Sequence, residues 1–154
     1  MKQNSTVKEQ SLNPQPAVRA TPQPVAEKLD ERVLAALHAA AEKKALEPVV
    51  LDLREIASFT DYFVIVSGAN ERQVQAISDE VYETLKKAGH AALRVEGYKT
   101  AEWILLDYGD FVVHVFEQKA RKFYDLERLW RESKRVELPA EFNAGSGGSL
   151  RRES

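Results

Sequence analysis

The sequence lacks cysteine, which excludes disulfides, thiolate nucleophiles and cysteine-ligated metal sites. No apolar run approaches the roughly 18 residues of a membrane span, and the first residues contain no continuous apolar stretch of the kind found in secretory signals. The formal net charge of −2 gives the whole chain no general attraction to nucleic acid or anionic lipid. From these absences we expect a cytoplasmic protein that does not bind membranes.

The 154 residues are enough for one domain with a core, flanked by two tails. Residues 1–26 combine several prolines with polar residues, a composition that predicts a disordered N-terminal segment. Residues 139–154 are rich in Gly and Ser, which predicts a flexible C-terminal tail. We therefore expect a single folded domain over residues 27–138.

Hydrophobic periodicity divides this domain into helices and strands. A first helix carries Val33, Leu34, Leu37 and Ala41 at helical spacing and is ended by Pro48. Strands are predicted at 49–53, 61–68 and 92–97 and on both sides of Gly109, and the second of them is apolar enough to be buried on both faces.

Two further helices are predicted between and after these strands. Asn70 and Gln73 form a capping-box pattern at the start of the second helix, and Gly89 ends it. The last helix runs over 119–135 with Phe123, Leu126 and Trp130 facing inward. Early strands separated by helices favour parallel pairing, and later strands pair as hairpins. The predicted fold is α/β, with a mixed five-stranded sheet and packed helices.

The stretch "WILLDYGDFVVHVF", residues 103–116, is a predicted hairpin. Gly109 and Asp110 form a two-residue turn, so that Tyr108 lies opposite Phe111. Alternation then places one wholly apolar or aromatic set on a core face: Ile104, Leu106, Tyr108, Phe111, Val113 and Val115. The opposite set, which we call the mixed face, holds Trp103, Leu105, Asp107, Val112, His114 and Phe116.

The mixed face contains residue types used in catalysis and metal binding. Asp107 and His114 lie diagonally across the hairpin, but two groups fall short of the three protein ligands that a metal site needs. Asp110 lies in the turn, where Asp is common for backbone reasons. Large apolar side chains on this face are explained by burial, either under a helix of the same chain or against a partner protein. The sequence leaves both explanations open.

Two other stretches have an enzymatic or nucleic-acid interpretation. "SGANERQV" is a turn that opens a helix, but it matches neither the dinucleotide fingerprint nor the phosphate-binding P-loop. "EQKARKFYDLERLWRESKR" has seven basic and four acidic residues, typical of a solvated helix face and also suited to an anionic rim.

Three blocks in order resemble the ribosomal silencing factor, or Iojap-like, family. They are "SFTDYFVIVSGANERQVQAISDEV", "VEGYKTAEWILLDYGDFVVHVF" and "RKFYDLERLW", and the resemblance covers roughly residues 33–136. It implies a nucleotidyltransferase-like fold in proteins that are not known as transferases, and we expect no cofactor or metal. An active nucleotidyltransferase would carry two acids alternating on one strand, whereas Asp52 stands alone in "VVLDL".

The resemblance also implies a function. Family members bind the large ribosomal subunit at its ribosomal protein number fourteen, obstruct joining of the small subunit and repress translation when nutrients are short. Neighbouring ribosomal RNA contacts and a homodimer of the free protein stay open, and the alternative functions are a nucleotide-binding enzyme and a general RNA-binding module. The candidate partner-binding residues are Glu96, Trp103, Leu105, Asp107, Tyr108, Asp110 and Lys122.

Overall fold

The structure, a computed structural model, describes the backbone of residues 29–147 and the side chains of residues 29–143. Its strands are β1 Leu46–Asp52, β2 Tyr62–Gly68, β3 Arg94–Glu96, β4 Trp103–Asp107, β5 Phe111–Glu117 and β6 Lys134–Arg135. Its helices are α1 Glu31–Glu42, α2 Glu71–Lys87, α3 Gln118–Tyr124, α4 Leu126–Leu129 and α5 Ala140–Gly147. The predicted N-terminal segment 1–26 lies outside the described residues.

The strands form one mixed sheet in the order β3-β4-β5-β2-β1-β6. β2 and β5 run parallel, and the other neighbouring strands are antiparallel. The predicted α/β class, with a mixed sheet and packed helices, is confirmed. β6 makes the sheet six-stranded rather than five-stranded. No helix in residues 29–147 is long and apolar enough to cross a membrane.

The start and end of α2 follow the predicted capping chemistry. Asn70 Oδ1 accepts a hydrogen bond from the Gln73 backbone N–H at 2.8 Å. Gln73 Oε1 in turn accepts from the Ala69 N–H at 2.7 Å, one residue before the cap itself. Gly89 follows the helix with φ +95°, a conformation in which glycine avoids the strain of a Cβ. Val74, Ile77, Val81 and Leu85 are all buried, as their spacing predicts.

The first helix ends earlier than Pro48 predicts. α1 stops at Glu42, and Ala41 at its end is exposed rather than buried. Pro48 lies inside β1, where the register with β2 shifts between Leu46 and Val49. A proline cannot donate to a strand ladder, so an irregular position of this kind accommodates it.

The prediction of parallel pairing at the start of the sheet is wrong for β1 and β2. These strands are antiparallel, with Val50 opposite Val64. No helix lies between them, and residues 53–61 form a short loop instead. A loop of this length returns the chain in the opposite direction, whereas a parallel pair requires a longer crossover.

The predicted last helix is interrupted. Asp125 adopts a left-handed conformation, with φ 48°, and divides the segment into α3 and α4. Leu126 is buried as predicted, but Phe123 is 80% exposed. Further on, α5 occupies part of the segment 139–154 that composition assigned to a flexible tail. Phe142 anchors this helix, because its ring is buried and lies 5.0 Å from that of His38 on α1.

The predicted hairpin is present with its predicted faces. Gly109 has φ +87°, and the Tyr108 N–H donates to the Phe111 carbonyl at 2.9 Å. The predicted core set is buried throughout, and α2 lies against β4 and β5. The same alternation places the mixed face on the side of α3 and α4, since Ala120 and Leu126 share a core cluster with Val112 and Phe116.

Val113 tests the assignment of the core face. Its side chain is 1% exposed, so Val113→Ala removes buried methyl groups and leaves a partial cavity. We expect a loss of about 1–3 kcal/mol in the free energy of unfolding, measured by denaturant titration. Val95→Ala is the matched control, because Val95 is 39% exposed on an edge strand and its loss should be smaller. Equal losses in the two variants would contradict the assignment.

Candidate functional site

The β3–β4 edge of the sheet carries the exposed part of the mixed face. Glu96 pairs with Leu105 and Arg94 with Asp107 across the antiparallel strands, so these four side chains share one face. Trp103 lies two residues before Leu105 on β4 and therefore shares this face, because side chains alternate along a strand. Leu105 and Trp103 are partly buried, while Glu96 is exposed. We call Arg94, Glu96, Trp103, Leu105 and Asp107 the β3–β4 surface.

The other half of the mixed face is covered by helices of the same chain. Ala120 of α3 and Leu126 of α4 pack on Phe116 and Ile65 from β5 and β2. α3 also reaches the edge of the open part, because the Tyr124 ring lies 4.8 Å from the Trp103 ring. Burial under helices of the same chain therefore explains one half of this face, whereas the half at the β3–β4 edge is only partly covered by them.

Trp103 is held in a fixed orientation by its neighbours. Its indole stacks on Phe116 at 4.9 Å between ring centroids. Its Nε1–H donates to His114 Nδ1 at 3.0 Å. His114 is 3% exposed and lies edge-on to Phe63 at 4.4 Å. A partly exposed aromatic side chain that is fixed by stacking and by a hydrogen bond loses little entropy when a partner covers it.

Burial makes His114 a neutral hydrogen-bond acceptor. Desolvation lowers its pKa to about 3, although the Asp107 charge acts in the opposite direction. Within the described residues its Nε2 atom has no hydrogen-bond partner. The predicted diagonal contact of Asp107 with His114 is not made as a hydrogen bond, since His114 Nδ1 binds Trp103 instead. His114 therefore supports the indole and is poorly placed to exchange protons with solvent.

Asp107 has a structural role in the turn and the edge strand. Its Oδ1 accepts from the Gly109 N–H at 2.9 Å, and its Oδ2 accepts from Arg94 Nε at 3.1 Å. Arg94 also donates to Glu96. The pKa of the Arg94 guanidinium is raised, first by its hydrogen bond to Asp107 and then by the charge of Glu96. The β3–β4 surface thus carries two carboxylates against one guanidinium.

The remaining candidate residues lie elsewhere. Tyr108 is 8% exposed on the opposite face and stacks on Phe111, so its ring belongs to the core. Burial raises the pKa of its hydroxyl to about 12. Asp110, at the tip of the turn, pairs with Arg32 of α1 at 2.9 Å. Lys122 is exposed on α3. The structure therefore brings together Glu96, Trp103, Leu105 and Asp107 but not the other three.

The groups that an enzymatic interpretation requires do not converge. Across the paired strands, Asp52 lies opposite Tyr62. Asp107 belongs to the neighbouring row of paired residues, which also contains Leu51, Phe63 and Val112. Because side chains alternate along each strand, Asp52 and Asp107 face opposite sides of the sheet. The hydrogen bonds of Arg54 lower the pKa of Asp52 and occupy both its oxygens. Within the described residues, no group of three or more His, Asp or Glu side chains is placed to hold a metal ion.

The hydroxyl near the end of β2 is also engaged. Ser67 Oγ accepts a hydrogen bond at 2.8 Å from Arg121, which is 6% exposed. Arg121 in turn pairs with Glu127 at 2.8 Å and so fastens α3 and α4 to the sheet. Sequence patterns identified neither this partly buried ion pair nor the contact of Tyr124 with Trp103. The one available signal was that Arg121, Tyr124 and Glu127 all lie in the third family-like block.

The buried His114 predicts a specific pH dependence. Its folded-state pKa of about 3 lies below the ordinary 6.5, so the unfolded chain takes up the proton first. The stabilisation is fully present above about pH 6.5 and falls by about 1.4 kcal/mol per pH unit as pH decreases towards 3.

The non-titrating variant His114→Asn isolates this effect. We expect the difference in unfolding free energy between the parent and this variant to shrink by about 1.4 kcal/mol per unit between about pH 6 and pH 4, in urea melts. Acidic groups distant from residue 114 titrate equally in both proteins. Parallel stability curves over this range would contradict the burial of a neutral histidine.

Comparison with known proteins places this chain in a family. The family model described as ribosomal silencing factor during starvation matches residues 26–152. The chain is 43% identical over 103 residues to ribosomal silencing factor RsfS of Halalkalibacterium halodurans, covering 67% of this chain and 88% of that protein. It is 30% identical over 92 residues to mitochondrial assembly of ribosomal large subunit protein 1 of Mus musculus, covering 58% of this chain and 40% of that protein.

A solved structure agrees with the sequence matches. A crystal structure of a Chromobacterium violaceum protein superposes with a TM-score of 0.66 at 32% identity, covering 73% of this chain and 91% of that one. The family model spans the β3–β4 surface, the turn after β2 and the partly buried Arg121–Glu127 pair. This chain belongs to the ribosomal silencing factor family.

Proposed function

We propose that this protein docks on the large ribosomal subunit through the β3–β4 surface and blocks joining of the small subunit, thereby repressing translation when nutrients are limiting. The observation that carries the proposal is that Trp103 and Leu105 are partly exposed on a sheet face that the chain's own helices cover only in part, with the Trp103 indole held by Phe116 and His114. Family membership supports the ribosomal role. The name of the mouse relative refers to the large subunit.

The character of the surface favours a protein partner on that subunit, namely ribosomal protein number fourteen. Interfaces are enriched in aromatic anchors surrounded by a polar rim, and Trp103 with Tyr124 supplies such an anchor. Glu96 and Asp107 outnumber Arg94 at the rim and complement a basic protein. Lys122 lies outside this surface and remains available to neighbouring ribosomal RNA.

Steric occlusion in the cytoplasm requires no chemical step. The polar groups at the site are already engaged in intramolecular contacts: Asp107 with Arg94 and Gly109, and Ser67 with Arg121. These contacts favour a regulatory binding protein over a nucleotide-binding enzyme. A general RNA-binding module is less favoured, because the β3–β4 surface carries more acidic than basic groups.

Co-sedimentation with purified subunits tests the proposed target. We expect the protein to pellet with large subunits and not with small ones, and to reduce formation of whole ribosomes when both subunits are mixed. A salt titration distinguishes protein contact from RNA contact, since phosphate contacts make affinity fall steeply with salt. Equal binding to both subunits would contradict the proposal.

Trp103→Ala tests the docking surface itself. We expect binding to large subunits to weaken by about 2 kcal/mol or more, as for a buried aromatic anchor. Because Trp103 also packs on Phe116 and Tyr124, stability should fall as well, but by less than the roughly 3–5 kcal/mol of a fully buried aromatic residue.

Binding is therefore measured at matched concentrations of folded protein, with denaturant melts of each variant. Leu93→Ala is the control, since Leu93 is 72% exposed. It directly precedes Arg94, so by alternation it lies on the opposite side of the sheet from the β3–β4 surface. A folded Trp103→Ala variant that binds as tightly as the parent would remove this surface from the site.

A further inference from the structure

An exposed apolar pair lies on the loop between β1 and β2. Phe59 is 60% exposed and Ile56 is 43% exposed. Neither residue is among the candidates that the sequence suggested. Exposed apolar side chains that lie near one another mark interaction sites more often than single exposed ones do.

The loop is fixed rather than loose. At its base the Leu53 N–H donates to the Asp61 carbonyl at 2.8 Å. Thr60, 4% exposed, donates through Oγ1 to the Gly109 carbonyl at 2.9 Å. The Asp61 N–H donates to the Asp110 carbonyl at 2.8 Å. These bonds attach the loop to the turn of the same hairpin that carries Trp103, so the two sites keep a constant separation.

Ring contacts connect the loop to the β3–β4 surface. Phe59 lies 6.1 Å from Phe63 and 5.9 Å from Trp130, between ring centroids. Phe63 in turn contacts His114, the residue that accepts the Trp103 hydrogen bond. The middle of this row is buried, since Phe63 is 5% and His114 3% exposed, whereas both ends reach solvent.

The charges around the loop indicate the chemistry of its partner. Residues 53–61 contain one cation, Arg54, and two acids, Glu55 and Asp61. The Arg54 guanidinium donates to both oxygens of Asp52. Glu55 pairs with Lys134 at 3.0 Å. A phosphate backbone would meet little attraction here, whereas an apolar protein surface with a basic rim complements the loop.

We propose that Ile56 and Phe59 extend the docking surface, and that they contact the same ribosomal protein as Trp103 and Leu105. This inference rests on the proposed function, because it assigns a second contact area to the same partner. A rigid second anchor increases affinity without further ordering of the chain. Phe59 has few contacts of its own to lose, so its effect on binding can be separated from its effect on folding.

Phe59→Ala, with Leu93→Ala as the matched exposed control, tests the inference in binding assays with purified large subunits. We expect about tenfold weaker binding for Phe59→Ala, a melting temperature within a few degrees of the parent, and parent-like binding for Leu93→Ala. Parent-like binding by Phe59→Ala, when Trp103→Ala is impaired, would overturn the inference and leave the proposed function standing. A parent protein that does not bind large subunits would overturn both.

Photocrosslinking identifies the ribosomal component that position 59 contacts, and it can be used even if the Phe59→Ala variant is unstable. Benzoylphenylalanine is placed at position 59, at position 105 and, as the control, at position 93, and each protein is irradiated on purified large subunits. We expect positions 59 and 105 to label the same ribosomal protein and position 93 to label none. Labelling of ribosomal RNA, or of a different protein, from position 59 would overturn the assignment.

Discussion

The register of the β4–β5 hairpin is the constraint on which the site depends. Gly109 in its left-handed conformation and the hydrogen bond from its N–H to Asp107 fix a two-residue turn. Trp103 is thereby paired with Phe116, and Leu105 with His114. Because side chains alternate along a strand, a slip of one residue would turn Trp103 and Leu105 towards α2 and expose Ile104. The same turn accepts the bonds that position the β1–β2 loop.

Features encoded by local spacing were predictable from the sequence. The Asn70 cap depends on residues three apart, and the two hairpin faces depend on strict alternation around Gly109. The near-continuous apolar run of β2 predicted burial on both faces, and all its residues after Tyr62 are buried. In each case the signal and the structure it specifies lie within one element, so no knowledge of distant contacts was needed.

Features set by contacts between distant residues were not predictable. The direction of β1 relative to β2 depends on whether residues 53–61 form a helix, and bonds to the remote β4–β5 turn fix them as a loop. Asp125 interrupts an amphipathic pattern that otherwise predicts one helix, and the partly buried Arg121–Glu127 pair spans that interruption. At the site, alternation grouped Trp103, Leu105 and Asp107, but gave no indication that Tyr124 borders the indole.

The polar groups of this domain are used to fix a shape. Arg54 engages Asp52, Arg94 and a backbone N–H engage Asp107, and Arg121 engages Ser67. These contacts hold each side chain in one orientation. Side chains that are already fixed lose little entropy when a partner covers them, which suits a docking surface. The buried His114 illustrates this, since keeping it neutral maintains the acceptor that holds the Trp103 indole at the open face.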